Sequence, residues 1–196
     1  MYIQLKYQQL NKYIMEKVTT TKTTWAVDPM HSEIQFKVKH LVISTVTGSF
    51  GQYDASFTSE KEDFSDAEIS FSADINSIST NNEQRDAHLK SDDFFNAEQY
   101  PKMTFKSNEL RKTGDGEYKL IGDLTIRDVT KPIELDVEYG GSMVDPYGQS
   151  KVGFEVTGTI NRKEYGLKWN AVTEAGGAVV SDQVKLIVNI QFVKQA

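Results

Sequence analysis

The 196-residue chain contains no cysteine, which removes disulfide stapling and thiolate chemistry together. No apolar run approaches the roughly 18 residues that a membrane-spanning helix needs. The stretch from Met1 to Val18 is interrupted by Lys6, Lys12 and Lys17, so it lacks the continuous apolar core of an export signal. A cytoplasmic location is therefore expected, with the periplasm as the alternative. A basic block is also missing: 22 Lys and Arg are interspersed with 28 Asp and Glu, for a net charge of -6. Nucleic acid is not expected as a partner. The chain has no Gly-x-Ser-x-Gly elbow, no glycine-rich phosphate loop ahead of a helix, and no His-x-x-x-His spacing. His31, His40 and His88, with Asp28 and Asp86, are the residue types of a metal or acid–base site without its spacing. The chain is expected to be neither an enzyme nor a cofactor protein.

What it has in quantity is aromatic side chains in alternating strands, with nine Tyr and ten Phe. The length suits one domain that buries roughly 70% of the surface its unfolded chain exposes. Ile34, Phe36 and Val38 alternate with Gln35, Lys37 and Lys39, the pattern of a half-buried strand. Phe50 followed by Tyr53, Ala55 and Phe57 makes the next, with a change of phase at Gly51 that predicts a bulge. Ala67, Ile69, Phe71, Ala73 and Ile75 form the cleanest period-two run. Met103 and Phe105, then Tyr118 to Ile126, Ile133 to Tyr139, Val152 to Ile160 and Val184 to Phe192 continue it. Gly114–Gly116, Arg127–Pro132, Gly140–Gly141 and Asp145–Gly148 read as turns.

One segment breaks the alternation. Thr80 with Glu83 has the spacing of a capping box, predicting a helix over 81–90 that sets Arg85 and His88 on one face. Ahead of the strands, Ile3, Tyr7, Leu10 and Ile14 fall at helical spacing, and the threonine-rich tract 19–24 reads as linker. The domain is therefore drawn at 25–196, after an extension over 1–24. About eight antiparallel strands suit a sandwich or a closed barrel, and closure removes exposed sheet edges. The small inward residues Ala55, Ala67, Ala73, Gly122 and Gly158 either leave an empty lumen or accommodate neighbouring Phe rings.

Several blocks together resemble the YceI-like lipid-binding family. They run from Trp25–Phe36 with His40-Leu41 and Gly48-Ser49-Phe50, through Arg85–Leu89, Asp93–Phe95 and Tyr100-Pro101. Leu124–Ile126 with Val129–Pro132, Asp145-Pro146 with Gly148, and Gly153-Phe154 follow. The series ends with Ile160–Arg162, Tyr165–Leu167 and Trp169-Asn170. The likeness spans 25–192. It implies an all-β, antiparallel, lipocalin-like barrel of about eight strands with one short helix, and a lumen that takes a long-chain lipid such as a polyisoprenoid. The sequence departs from the family pattern at Asp128, where glycine usually precedes Val-Thr, and at Ser181, in a turn where glycine is common. Residues 1–24 are also expected not to form the export leader that many relatives carry.

Within that frame Phe36, Val38, Phe50, Phe71, Phe94, Phe105, Leu124, Ile126, Phe154, Leu167 and Trp169 are the candidate apolar lining. Alternation shows that such residues face inward, which ordinary core packing would also require. Arg85 and His88 are the candidate partners of a polar head group, with His31 and Arg162 as weaker choices. Against this, Arg85 has a structural alternative in ion pairs with Asp86, Asp92 or Asp93. A barrel filled by its own side chains and used as an interaction protein is the alternative function, and a barrel enzyme built on the His and Asp residues is a further one. Edges near Gly140-Gly141 leave a homodimer open.

Overall fold

Period-two alternation becomes strand after strand in the computed structural model, which describes residues 22–171 and 179–195. The strands are β1 (Thr23–Val27), β2 (Glu33–His40), β3 (Ser44–Phe50), β4 (Tyr53–Ser59), β5 (Glu68–Asp74) and β6 (Ile78–Ser79). After helix α1 (Glu83–Lys90) come β7 (Lys102–Lys112), β8 (Glu117–Ile126), β9 (Val129–Val144), β10 (Ser150–Asn161) and β11 (Val180–Lys194). Each strand pairs antiparallel with its neighbours in the order β1-β4-β5-β7-β8-β9-β10-β11, and β11 returns to β1. Strands β2, β3 and β6 continue β1, β4 and β5 across short breaks, so the segments close an eight-stranded barrel. The expected all-β barrel with one short helix is what forms.

Two of the three breaks are 3-10 turns. Between β1 and β2 the residues Pro29–His31 make a 3-10 turn, with proline early in the turn where no N–H is needed. Asp28 pins this turn. Its carboxylate accepts from the Met30 N–H at 3.1 Å, His31 Nδ1 at 3.0 Å, Lys151 Nζ at 3.0 Å and Gln191 Nε2 at 3.1 Å. Between β5 and β6 a second 3-10 turn, Ile75–Ser77, is capped by Asp74 through the Asn76 N–H at 2.8 Å.

The interior is aromatic. Phe57 stacks on Trp25 with ring centroids 5.6 Å apart and meets Phe192 edge-on at 4.9 Å. Three glycines let large side chains lie flat on the sheet. A Cβ at Gly48 would collide with the Phe36 ring, one at Gly122 with Phe105, and one at Gly158 with Leu135. These glycines accommodate neighbours rather than leave space, whereas Ala55 and Ala67 do face an empty lumen.

Several local expectations are corrected. Thr23 and Thr24 are strand rather than linker, paired with Ser59 and Thr58. The turn read over 127–132 shrinks to Arg127-Asp128, because Ile126 already pairs with Val129. Its left-handed residue is Arg127 at φ 56°, not Asp128. Gly140-Gly141 is no loop. Gly153 pairs with Gly141 and Phe154 with Tyr139, so Gly140 is the extra residue of a bulge inside β9. Ser181 likewise lies in β11, beside a shift of register between Val180 and Val184. Helix α1 is capped by Asn82, whose side chain accepts from the Arg85 N–H at 2.9 Å, and not by Thr80. Asn81 at φ 59° separates Thr80 from the helix. The helical spacing from Ile3 to Ile14 lies outside the described residues.

The Asp28 cluster makes stability depend on pH. Burial pushes the Asp28 carboxyl up, but Lys151, His31 and the Met30 N–H outweigh it and leave the group below its ordinary 3.8. Its contribution is therefore complete above the unfolded value and is lost as pH falls through the lower folded value. Thermal melts over a pH series are expected to show wild-type stability falling as pH drops below about 4. Asp28→Asn is expected to be less stable near neutrality and to fall less steeply in acid.

Candidate functional site

The two ends of the barrel are built differently. One end gathers the β2–β3 hairpin, α1, the Arg127-Asp128 turn and the segment 162–170; the other carries the β4–β5 connection and the β9–β10 loop. Between them lies a cavity of about 150 Å³. Its lining is apolar apart from Gln35, and it receives side chains from nearly every strand.

Of the residues nominated from sequence, Phe36, Phe50, Phe71, Phe105, Leu124 and Phe154 come together on this lining. Val38, Phe94, Ile126, Leu167 and Trp169 lie outside it, as do Arg85 and His88. Val38 and Ile126 follow lining residues on the same strand faces, one step nearer the helix end. The alternation that found them carries no information about depth along the barrel. Phe94 and Trp169 instead pack with His88 in an aromatic cluster, the rings 4.8–5.3 Å apart. Trp169 is held there by Arg162, buried at 3% exposure. Its Nη1 donates to the carbonyls of Leu167 at 2.6 Å and Trp169 at 2.8 Å, and its Nε to that of Ser181 at 2.9 Å. With those bonds made, Arg162 organises the helix end.

Phe57, Leu186, Ile190 and Phe192 also line the cavity and stand in phase with the alternation already noted on β4 and β11. Phe64 gave no such signal. It comes from the irregular connection after β4, at φ 57°, and reaches in against Phe57 at 5.5 Å and Phe154 at 5.8 Å. The Asp66 carboxylate folds that connection by accepting from Ser59 Oγ at 2.6 Å and the Glu60 N–H at 3.0 Å, and the Tyr118 hydroxyl donates to the Asp63 carbonyl at 2.8 Å. Phe64 is the floor of the lumen.

The polar candidates are occupied elsewhere. Arg85 and His88 do share α1, but their side chains part. Arg85 Nε donates to Thr80 Oγ1 at 2.7 Å and its Nη2 to the Thr80 carbonyl at 2.9 Å. None of its possible ion pairs with Asp86, Asp92 or Asp93 forms among the described residues. His88 Nε2 meets Asp93 at 2.9 Å, and His31 Nδ1 meets Asp28 at 3.0 Å. Among the described residues no group of three or more His, Asp or Glu is arranged to hold a metal ion. Among the described residues the buried Tyr165 hydroxyl has no hydrogen-bond partner, and burial pushes its pKa up to about 12.

The YceI-like domain profile matches residues 25–192. The chain belongs to the YceI-like family. A UPF0312 protein of Staphylococcus aureus is 39% identical over 171 residues, 87% of this chain and 97% of that protein. The crystal structure of a Campylobacter jejuni YceI protein superposes with a TM-score of 0.69 at 33% identity, over 81% of this chain and 90% of that one. A polyisoprenoid-binding domain from Saccharophagus degradans shares the fold, with a TM-score of 0.63 at 16% identity over 87% of this chain and 98% of that one. In this YceI-like barrel the blocks Arg85–Leu89 and Tyr165–Asn170 both build the helix end.

Arg85 is therefore expected to clasp α1 to β6 through Thr80. Arg85→Ala should lower the melting temperature by a few degrees, since bonds from a charged donor contribute roughly 1.5–3 kcal/mol. Titration of a polyprenol and its phosphate should show both ligands affected alike. A loss confined to the phosphate would return Arg85 to a head-group site.

Proposed function

We propose that this YceI-like barrel holds part of a long-chain apolar lipid, of the polyisoprenoid class, in its lumen. The observation that carries the reading is the apolar cavity of about 150 Å³ in a closed barrel. An empty cavity of that size with an apolar lining stays dry and takes up small hydrocarbons. The Saccharophagus degradans domain of the same fold, described as polyisoprenoid-binding, supports the choice of class.

Magnitudes limit how the chain is held. The cavity as it stands suits about one isoprene unit. Burying five carbons at about 0.8 kcal/mol each yields roughly 4 kcal/mol before ordering costs. That corresponds only to about millimolar affinity, so useful binding requires several units. The ring of Phe36 is half-buried on a lining strand that runs to the helix end, and its rotation would lengthen the lumen that way. The rival reading, a barrel filled by its own side chains, draws on Gly48, Gly122 and Gly158, which are already covered by neighbours.

A chain-length series separates the two. Calorimetry with isoprenols of increasing length is expected to show affinity rising for several units and then levelling off. Ala67→Phe, on the lining, should reduce that affinity at least tenfold while leaving the melting temperature equal or higher, because it fills empty space. If Ala67→Phe unfolds the protein and no isoprenol binds, the barrel is filled and the reading fails.

A further inference from the structure

The β2–β3 hairpin ends in Leu41, Val42 and Ile43, closed on either side by the His40–Ser44 pair. Val42 and Ile43 are 82% and 86% exposed. Leu41 has φ 50° and Val42 φ 66°. Two successive left-handed residues are what Asn-Gly or Asp-Gly supplies at low cost, and a β-branched residue there is an outlier. The turn thus presents Val42 and Ile43 to solvent at a conformational cost that packing among the described residues does not recover.

The strand face just behind the tip is cationic. Lys37 stands directly opposite Lys185, and Lys39 lies two residues closer to the tip. Like charges directly opposite on neighbouring strands repel. Among the described residues none of these three lysines has an ion pair, and Asp182 nearby is taken by Arg162 and Lys163. The neighbouring outward positions are Thr45 and Thr47 on β3 and Thr159 on β10. In a chain of net charge -6 this is a local positive spot around an apolar tip. On the other face of the same strands, Phe36 and Leu186 line the cavity and half-buried Val38 and Val184 continue toward the tip.

We infer that the β2–β3 hairpin docks the protein on an anionic phospholipid bilayer, seating the helix end of the lumen at the source of its lipid. The inference rests on the lipid-binding reading for its purpose. At about 3.3 Å per residue, Lys39 trails Leu41 by ~7 Å and Lys37 by ~13 Å. A tip inserted about 5–10 Å would leave the ammonium groups among the head groups. An anionic surface also relieves the Lys37–Lys185 repulsion.

The test is sedimentation of the full chain with vesicles of equal parts phosphatidylglycerol and phosphatidylcholine, against phosphatidylcholine alone. Binding is expected to the first only and to weaken with added salt. Val42→Asp and Ile43→Asp should each lose at least tenfold. Lys37→Gln and Lys185→Gln should each lose about fivefold. Tyr147→Asp, at the opposite end of the barrel, should leave vesicle binding unchanged. Val42→Asn should raise the melting temperature, because Asn tolerates the left-handed turn, and still lower vesicle binding. Equal sedimentation with neutral vesicles, no sedimentation, or wild-type binding by the tip variants would overturn the inference. Farnesol binding in vesicle-free solution is measured in parallel. Farnesol binding without vesicle binding overturns docking alone; vesicle binding without farnesol binding supports docking and removes the lumen reading.

Discussion

Strand β11 holds the barrel shut. It pairs with β10 from Lys151 to Asn161, with β2 through Val184–Asn189, and with β1 through Phe192–Lys194. That is possible only because β1 and β2 are one strand broken at Pro29–His31, so that both halves can follow the long strand. The Asp28 cluster fixes the break, with Gln191 of β11 among its donors. Closure and lining are then the same event: Leu186, Val188, Ile190 and Phe192 alternate along β11 into the lumen. A sheet left open here would expose both an edge and an aromatic face to water.

The strands were legible because one face of each is buried. Strand β8 alternates without a fault from Glu117 to Ile126, and period two has no other easy explanation. Turns were legible less well. At Arg127 the backbone turns left-handed on a residue with no special preference for it, and at Leu41-Val42 on residues that disfavour it. The choice of Thr80 as helix cap failed because its hydroxyl is committed to Arg85 and Asp86. At Arg127 a bond to the Phe94 carbonyl, and at Thr80 bonds to side chains five and six residues on, accompany the outcome, and propensity carries no trace of them.

For the site, alternation identifies the inward face but not the height along the barrel axis. Phe36 and Val38 look equivalent in sequence, yet only Phe36 lines the cavity. Phe94 and Trp169, nominated as lining, form a cluster at the helix end rather than lumen wall. Phe64 was unreadable, because it leaves an irregular connection whose fold depends on Asp66 and Tyr118. The likeness to the YceI-like family located the blocks correctly; what their polar residues do required their hydrogen-bond partners.

The central claim is that the lumen is a binding site for a long apolar molecule and not merely a core. Its most direct test is to purify the full chain without detergent, extract it with organic solvent, and identify the extract by mass spectrometry against a protein-free blank. The account predicts a long-chain lipid of the isoprenoid class in near-stoichiometric amount, and a lower melting temperature for the stripped protein that added lipid restores. An empty extract, together with a stripped protein that melts unchanged and takes up no added lipid, would contradict it.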